Sequence, residues 1–421
     1  MGIRDRVLVL LLVLSGLSVL SPAAASQPLP MALAPTPSSD PFYTYAGRVP
    51  LDQLPRGAVL KRREVDHHLA GLALPLTLTQ LLYRTRDTLG AAATTVTTVI
   101  PPIATVFAEP RLVSFQFAYD ALGVQCNPSY GYSGAGGPGG QVTTAEQAAV
   151  LGYLLAGYTV VVSDYEGQEL HFGAGRESGM ATLDGIRAAI NAGVYGLTSR
   201  TSIAMVGYSG GSIATEWAAE QAPRYAPEID RRLVGAAMGG TPTDLAHLLA
   251  YIDGSMIWAG AIPLGLVGLA RAYDIDLDRY TNAYGKSVVA AVQDQCIGDV
   301  IGAYPGLTFA DLMKPRFSTF TSIPPLLRVR RQVVMGRAGT PTTPLFFAVA
   351  KLDDTGDGIV VTQDVADLAA DYCGRGVSVR YQQYTGLEHI TGMVAFVPDA
   401  LTWINAQFAD TGGQDGCSGL G

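Results

Sequence analysis

Residues 202–219 read SIAMVGYSGGSIATEWAA, an apolar run broken at Gly207-Tyr208-Ser209-Gly210-Gly211 and followed by a segment of helical pattern. A strand, a tight turn centred on serine and a helix is the context a G-x-S-x-G pentapeptide requires. Glycine stands at the flanking positions because Cβ atoms there would collide with the neighbouring strand and helix. Ser209 is then expected to project from the carboxyl edge of a sheet at a helix N-terminus, where the Gly210 amide and the helix dipole favour a developing negative charge.

Outward from that segment the pattern is regular. After the run LLYRTRDT at 81–88, candidate strands lie at 94–100, 112–119 and 158–163, with helical patterns at 146–155 and 180–192; beyond the turn, strands are expected at 233–237, 344–350 and 377–384. Strands alternating with amphipathic helices predict an α/β fold with a mainly parallel sheet. The rhythm stops at Gly240 and resumes at Pro344, so residues 241–331, largely helical by pattern, read as an insertion into a core of residues 26–240 and 332–421. Within it, residues 256–269 (MIWAGAIPLGLVGL) carry no charge. That stretch fits either a helix pair buried against the core or a lid whose apolar face meets lipid, since an exposed apolar patch of that size marks an interaction site.

The chain opens with Arg4 and Arg6, an uncharged run over 7–20 and Ala23-Ala24-Ala25, the three parts of a secretory signal with cleavage near Ser26. A run of about 14 residues falls short of the roughly 20 that span a bilayer. Residues 1–25 are therefore expected to be removed on export, and no later segment suggests a permanent membrane span. Residues 27–42, rich in Pro, Ser and Ala, read as an extended leader. For an exported chain, Cys126, Cys296, Cys373 and Cys417 predict two disulfides, with three pairings open. Zinc is disfavoured, because no pair has C-x-x-C spacing and nearby histidines are lacking. A net charge of −8, with 28 basic residues spread along the chain, argues against a nucleic-acid partner.

A serine hydroxyl is a weak nucleophile and needs a positioned base, expected after an acid in the chain order Ser, Asp or Glu, His. Of five histidines, His67, His68 and His171 precede Ser209 and His247 lies in the insertion, leaving His389 in Leu387-Glu388-His389-Ile390. For the acid, Asp353, Asp354 and Asp357 compete in the loop after the strand at 344–350. Asp357 precedes an apolar run that could anchor the loop, Asp353 and Asp354 sit nearer the strand end, and spacing alone prefers none strongly. The HGGG signature of a second oxyanion donor is absent; by position Asp120, ending LVSFQFAYD, is the best candidate, and a strand-end aspartate capping its own turn is equally common.

Several segments then occur in a telling order: Asp120 before Cys126-Asn127-Pro128-Ser129-Tyr130, Ser163-Asp164-Tyr165-Glu166-Gly167, Met180-Ala181-Thr182-Leu183-Asp184-Gly185-Ile186-Arg187, the Ser209 turn, Gly239-Gly240-Thr241-Pro242 and Glu388-His389. In these, over roughly residues 101–409, the chain resembles the secretory lipase family (Candida antarctica lipase A-like), which has bacterial members. The resemblance implies an α/β-hydrolase fold with a helical cap at 241–331 and a Ser-Asp-His triad. The family's acid precedes an Ile-Val pair by two positions, as Asp357 does in Gly356-Asp357-Gly358-Ile359-Val360, which selects Asp357. It also implies oxyanion amides at Asp120 and Gly210 and disulfides Cys126–Cys296 and Cys373–Cys417. The expected activity is hydrolysis of carboxylic esters, triacylglycerols among them because the cap is apolar, through Ser209, His389 and Asp357, with no metal and no organic cofactor. The expected partners are a lipid or acyl-ester substrate and, transiently, a lipid interface. Two other readings remain: an esterase or acyltransferase acting on cell-envelope lipids or small esters, and a non-catalytic hydrolase-like binding protein.

Overall fold

Along β6 (Ile203–Tyr208), Ile203 and Met205 enter one hydrophobic core while Ala204 and Val206 enter another. The same alternation recurs in β8 (Leu345–Lys351), where Leu345 and Phe347 face the first core and Phe346 and Ala348 the second. Successive side chains of a strand point to opposite faces, so a strand covered on both sides must be apolar throughout. That is why the sequence shows unbroken apolar runs here rather than alternation.

The computed structural model describes residues 35–69, 72–133, 141–411 and Cys417. The expected signal segment at 1–25, and residues 27–34 of the leader, lie outside the described residues; the rest of the leader folds into a turn at 36–40 and a short helix at Pro41–Tyr43 rather than running extended. The remaining strands are β1 (Val59–Leu69), β2 (Leu72–Arg86), β3 (Ala92–Ile100), β4 (Leu112–Gln116), β5 (Thr159–Ser163), β7 (Leu233–Gly239) and β9 (Val379–Thr385). They form one nine-stranded sheet in the order β1-β2-β3-β5-β4-β6-β7-β8-β9. The β1, β2, β3 and β5 pairings are antiparallel, and from β5 through β9 every pairing is parallel. The longer helices among the described residues are α1 (Gln141–Leu155), α2 (Gly175–Asn191), α3 (Gly210–Tyr225), α4 (Leu245–Tyr251), α5 (Ala261–Ala272), α6 (Ala283–Val292), α7 (Thr362–Gly374) and α8 (His389–Phe408).

Two differences from the sequence reading have plain causes. Strand β1 went unpredicted because its sequence, VLKRREVDHHL, is heavily charged and mostly only half-buried. Edge strands tolerate and even favour such charge, which discourages pairing with another chain. Strand β4 ends at Gln116 rather than Tyr119. Its partner β6 pairs Gly207 with Gln116 and turns away after Tyr208, so residues 117–120 have no ladder to join.

Between β7 and β8 the chain is helical, carrying α4, α5, α6 and shorter turns. The apolar stretch at 256–269 divides: Trp258 through Leu269 are buried, while Met256 and Ile257 are 68% and 55% exposed. Cys126 is bonded to Cys296 and Cys373 to Cys417, closing spans of 170 and 44 residues. Loops of that length are worth about 4 to 5 kcal/mol each in the chain-entropy account. Among the described residues no helix is long and apolar enough to cross a membrane.

Candidate active site

Ser209 lies between β6 and α3 with φ 52° and ψ −125°, a conformation a non-glycine residue adopts only when its surroundings enforce it. The enforcement is steric and local. A Cβ on Gly207 would stand 2.3 Å from the Gly211 carbonyl oxygen, and one on Gly211 would stand 2.0 Å from that of Gln116. With glycine at both positions α3 folds back against the sheet, and the Ser209 amide donates to the Gly239 carbonyl on β7 at 2.8 Å. The serine thus stands at the carboxyl edge, at the head of a helix.

His389 is the first residue of α8 and is 2% exposed. Glu388 caps that helix by accepting from the amides of Ile390 and Thr391, and the His389 amide donates to the Asp357 carbonyl at 3.0 Å. The Tyr208 hydroxyl donates to the His389 carbonyl at 2.6 Å, and the Tyr208 and Trp258 rings lie 5.2 and 5.5 Å from the imidazole. So held, Nε2 of His389 lies 2.8 Å from Ser209 Oγ and Nδ1 lies 2.8 Å from Asp357 Oδ2. A carboxylate accepts only, so Nδ1 carries the proton and Nε2 is left as the acceptor facing the hydroxyl. Asp357 is fully buried, and its other oxygen accepts from the amides of Ile359 at 3.1 Å and Val360 at 2.7 Å.

Their sequence rivals are engaged elsewhere. Asp353 accepts from the Thr355 and Gly356 amides in its own turn, and Asp354 is exposed. Among the histidines, His171 pairs with Glu177, His247 with Asp364, and His67 and His68 lie on β1.

Asp120 stands against the serine turn: a Cβ on Gly210 would fall 1.6 Å from its Oδ1. Its φ is 35°, again positive, and Oδ1 is buried without a hydrogen-bond partner. Burial pushes the Asp120 carboxyl up to about 7, opposed by the nearby His389 and by its own amide. Two further carboxyls close around the same loop and were given no role by the sequence reading. Both oxygens of Glu146, on α1, accept from the Ala118 amide at 2.9 Å, and Glu166, just beyond β5, accepts from the Ala121 amide at 3.0 Å. Burial raises both well above the usual carboxyl range. No set of His, Cys, Asp and Glu able to hold a metal ion occurs among the described residues. Apolar side chains are exposed close by in the chain: Met256 and Ile257 precede Trp258, Ile390 follows His389, and Val394 lies one helical turn on.

A mainly parallel sheet flanked by helices, with a serine raised on a strand-turn-helix elbow, makes this an α/β-hydrolase fold, as its structural neighbours bear out. The chain belongs to the secretory lipase family, whose model matches residues 139–416. Candida antarctica lipase A superposes with a TM-score of 0.82 at 32% identity, over 92% of this chain and 89% of that one. Lipase 6 of Candida albicans is 32% identical, covering 91% of this chain and 84% of its own length. A Mycobacterium tuberculosis protein named as a probable inactive lipase is also 32% identical, over 89% of this chain and 82% of its own. The rice cell wall degrading esterase LipA of Xanthomonas oryzae shares the fold alone, with a TM-score of 0.65 at 16% identity, over 85% of this chain and all of that one. Membership of this family places the chain among hydrolases that act on esters.

Proposed function

We infer that the protein is a lipase that cleaves carboxylic acyl esters through a covalent acyl-enzyme on Ser209. The observation that carries this reading is the unbroken hydrogen-bonded chain from Asp357 through His389 to Ser209, at 2.8 Å in each link. Ser209 Oγ attacks the ester carbonyl carbon while its proton passes to His389 Nε2; Asp357 holds the imidazolium that results. The oxyanion of the tetrahedral intermediate is taken by the amides of Gly210 and Asp120. Collapse expels the alcohol, which leaves with the proton from His389. Water, deprotonated by the same imidazole, then attacks the acyl-enzyme and releases the acid and Ser209. The chain's own residues suffice for every step, with no metal or organic cofactor.

Carboxylic esters with acyl chains, triacylglycerols among them, are the proposed substrates. Exposed Met256, Ile257, Ile390 and Val394 beside His389 and Trp258 support this, as an apolar rim suits transient contact with a lipid interface, with residues 241–331 acting as cap. The Candida relatives are themselves named lipases. Export of the mature chain from about Ser26 is supported by the family and by the two disulfides, which persist in oxidising compartments.

The mycobacterial relative's name raises a second reading, a non-catalytic member of the fold. Against it stands the complete Ser-His-Asp chain in this protein. A panel of p-nitrophenyl esters, with emulsified triolein alongside, separates the readings. Ester hydrolysis abolished by Ser209→Ala, with fluorophosphonate labelling of Ser209 in the wild type, is expected; hydrolysis that survives the substitution sinks the proposal. Faster turnover of short soluble esters than of triolein would instead favour an esterase or an acyltransferase.

A further inference from the structure

Residues 117–122 cross the mouth of the site at the end of β4, and Asp120 among them is held at φ 35°. A non-glycine residue keeps a positive φ only if its neighbours are tied. Here they are tied on both sides. Before Asp120, the Tyr165 hydroxyl donates to the Phe117 carbonyl at 2.5 Å, and Glu146 accepts from the Ala118 amide with both oxygens. After it, Glu166 Oε2 accepts from the Ala121 amide, and the Leu122 amide donates to the Gln295 carbonyl at 2.9 Å. The Glu166 amide in turn donates to the Tyr119 hydroxyl at 2.7 Å.

Glu146 and Glu166 are each 1% exposed, and neither forms an ion pair among the described residues. A buried carboxyl with no cation in direct contact is costly to keep, and at Glu166 burial outweighs the more distant Arg271 charge. Its retention on two separate elements, each aimed at an amide flanking the same strained residue, calls for a reason that core packing does not supply. We propose that Glu166 and Glu146 are positioning residues for the oxyanion site, clamping the Ala121 and Ala118 amides so that the intervening Asp120 amide stays turned toward the ester oxygen. The proposal rests on the Ser209 reading above and adds to it the two side chains that keep its second donor in place.

The test uses the full-length mature enzyme, with Glu166→Ala, Glu146→Ala and the corresponding glutamine variants. Active sites are counted by end-point fluorophosphonate labelling. Each alanine variant is expected to lower kcat by about 10- to 100-fold with KM within about twofold, since a lost oxyanion donor costs on the order of 100- to 1000-fold. Ki for a short alkyl boronic acid, whose tetrahedral serine adduct uses the same donors, should rise in step. Glutamine keeps the acceptor oxygen, so Glu166→Gln and Glu146→Gln should recover most of the loss. A fall in Tm with kcat and the boronate Ki unchanged would make these residues structural only and overturn the proposal, as would a fall in kcat that leaves Ki unmoved. If the alanine variants do not fold, Tyr119→Phe and Tyr165→Phe decide the matter, since each removes one hydroxyl tie to the clamp without opening a cavity. A joint shift in kcat and Ki supports the clamp, and unchanged values refute it. Wild-type hydrolysis that persists in Ser209→Ala defeats the parent reading, whereas Ser209-dependent hydrolysis with Glu variants at wild-type kcat defeats the clamp alone.

Discussion

At Ser209 a strained backbone, the His389 imidazole and the buried Asp357 carboxyl meet within hydrogen-bond range, and each was differently visible beforehand. Ser209 was legible because glycine at 207 and 211 fits only a turn of this tightness. His389 was legible because the other four histidines fall before the serine or inside the inserted segment. The acid was not decided by spacing, and the family resemblance favoured Asp357. Three-dimensional contacts separate the candidates: Asp357 is the one whose carboxyl meets Nδ1 and whose carbonyl meets the His389 amide. Asp357→Asn should therefore lower kcat by about 10,000-fold with little change in KM, by favouring the wrong imidazole tautomer. Asp353→Asn, whose carboxyl accepts from the Thr355 and Gly356 amides and lies beside Tyr251 without meeting His389, should stay within about twofold. Initial rates on p-nitrophenyl butyrate distinguish the two, and an equal loss in both variants would remove Asp357 from the mechanism.

The loop after β4 and the turn after β5 gather Asp120, Glu146, Asp164 and Glu166 in the interior, all with raised carboxyl values and burial as the leading cause. Asp120 and Asp164 are each pushed from 3.8 to about 7. A folded value above the unfolded one means that the folded state binds the proton more tightly. The stabilisation is then complete below the unfolded value of 3.8 and is lost progressively as pH rises to about 7. The urea midpoint is thus expected to be higher at pH 5 than at pH 8. Asp164→Asn should flatten that slope, because the Ser129 amide and hydroxyl keep an acceptor while the titrating group is gone. A midpoint that rises between pH 5 and pH 8 would contradict the reading. None of these four acids could be told from a surface carboxyl by local sequence, because their burial comes from chain segments far away.

Over the whole molecule, the Cys126–Cys296 bond joins the loop after β4 to the segment between β7 and β8, beside the bridge from Ala121 to Cys296. The Cys373–Cys417 bond ties the end of α7 to residues near the carboxyl terminus. Removing either pair as a double Cys→Ala variant should cost about 4 to 5 kcal/mol, read from urea unfolding. Only the Cys126→Ala/Cys296→Ala variant should also lower kcat, because its bond anchors the segment that carries Asp120. Equal kcat in the two variants would show that the loop is held without the disulfide.

Taken by itself, the sequence determined the α/β alternation, the elbow serine and the lone eligible histidine, because these rest on local sterics and on periodicity. A turn too tight for Cβ and a strand apolar on both faces leave their mark within a few residues. Tertiary structure alone decided the charged edge strand β1, the early end of β4, the burial of residues 258–269 with Met256 and Ile257 left in solvent, and the glutamates around Asp120. Each depends on which distant segment lies against it: Glu166 meets Ala121 across 45 residues, and His389 meets Ser209 across 180. No local propensity encodes such a contact. It exists only once the sheet has assembled and its carboxyl edge has brought those loops together.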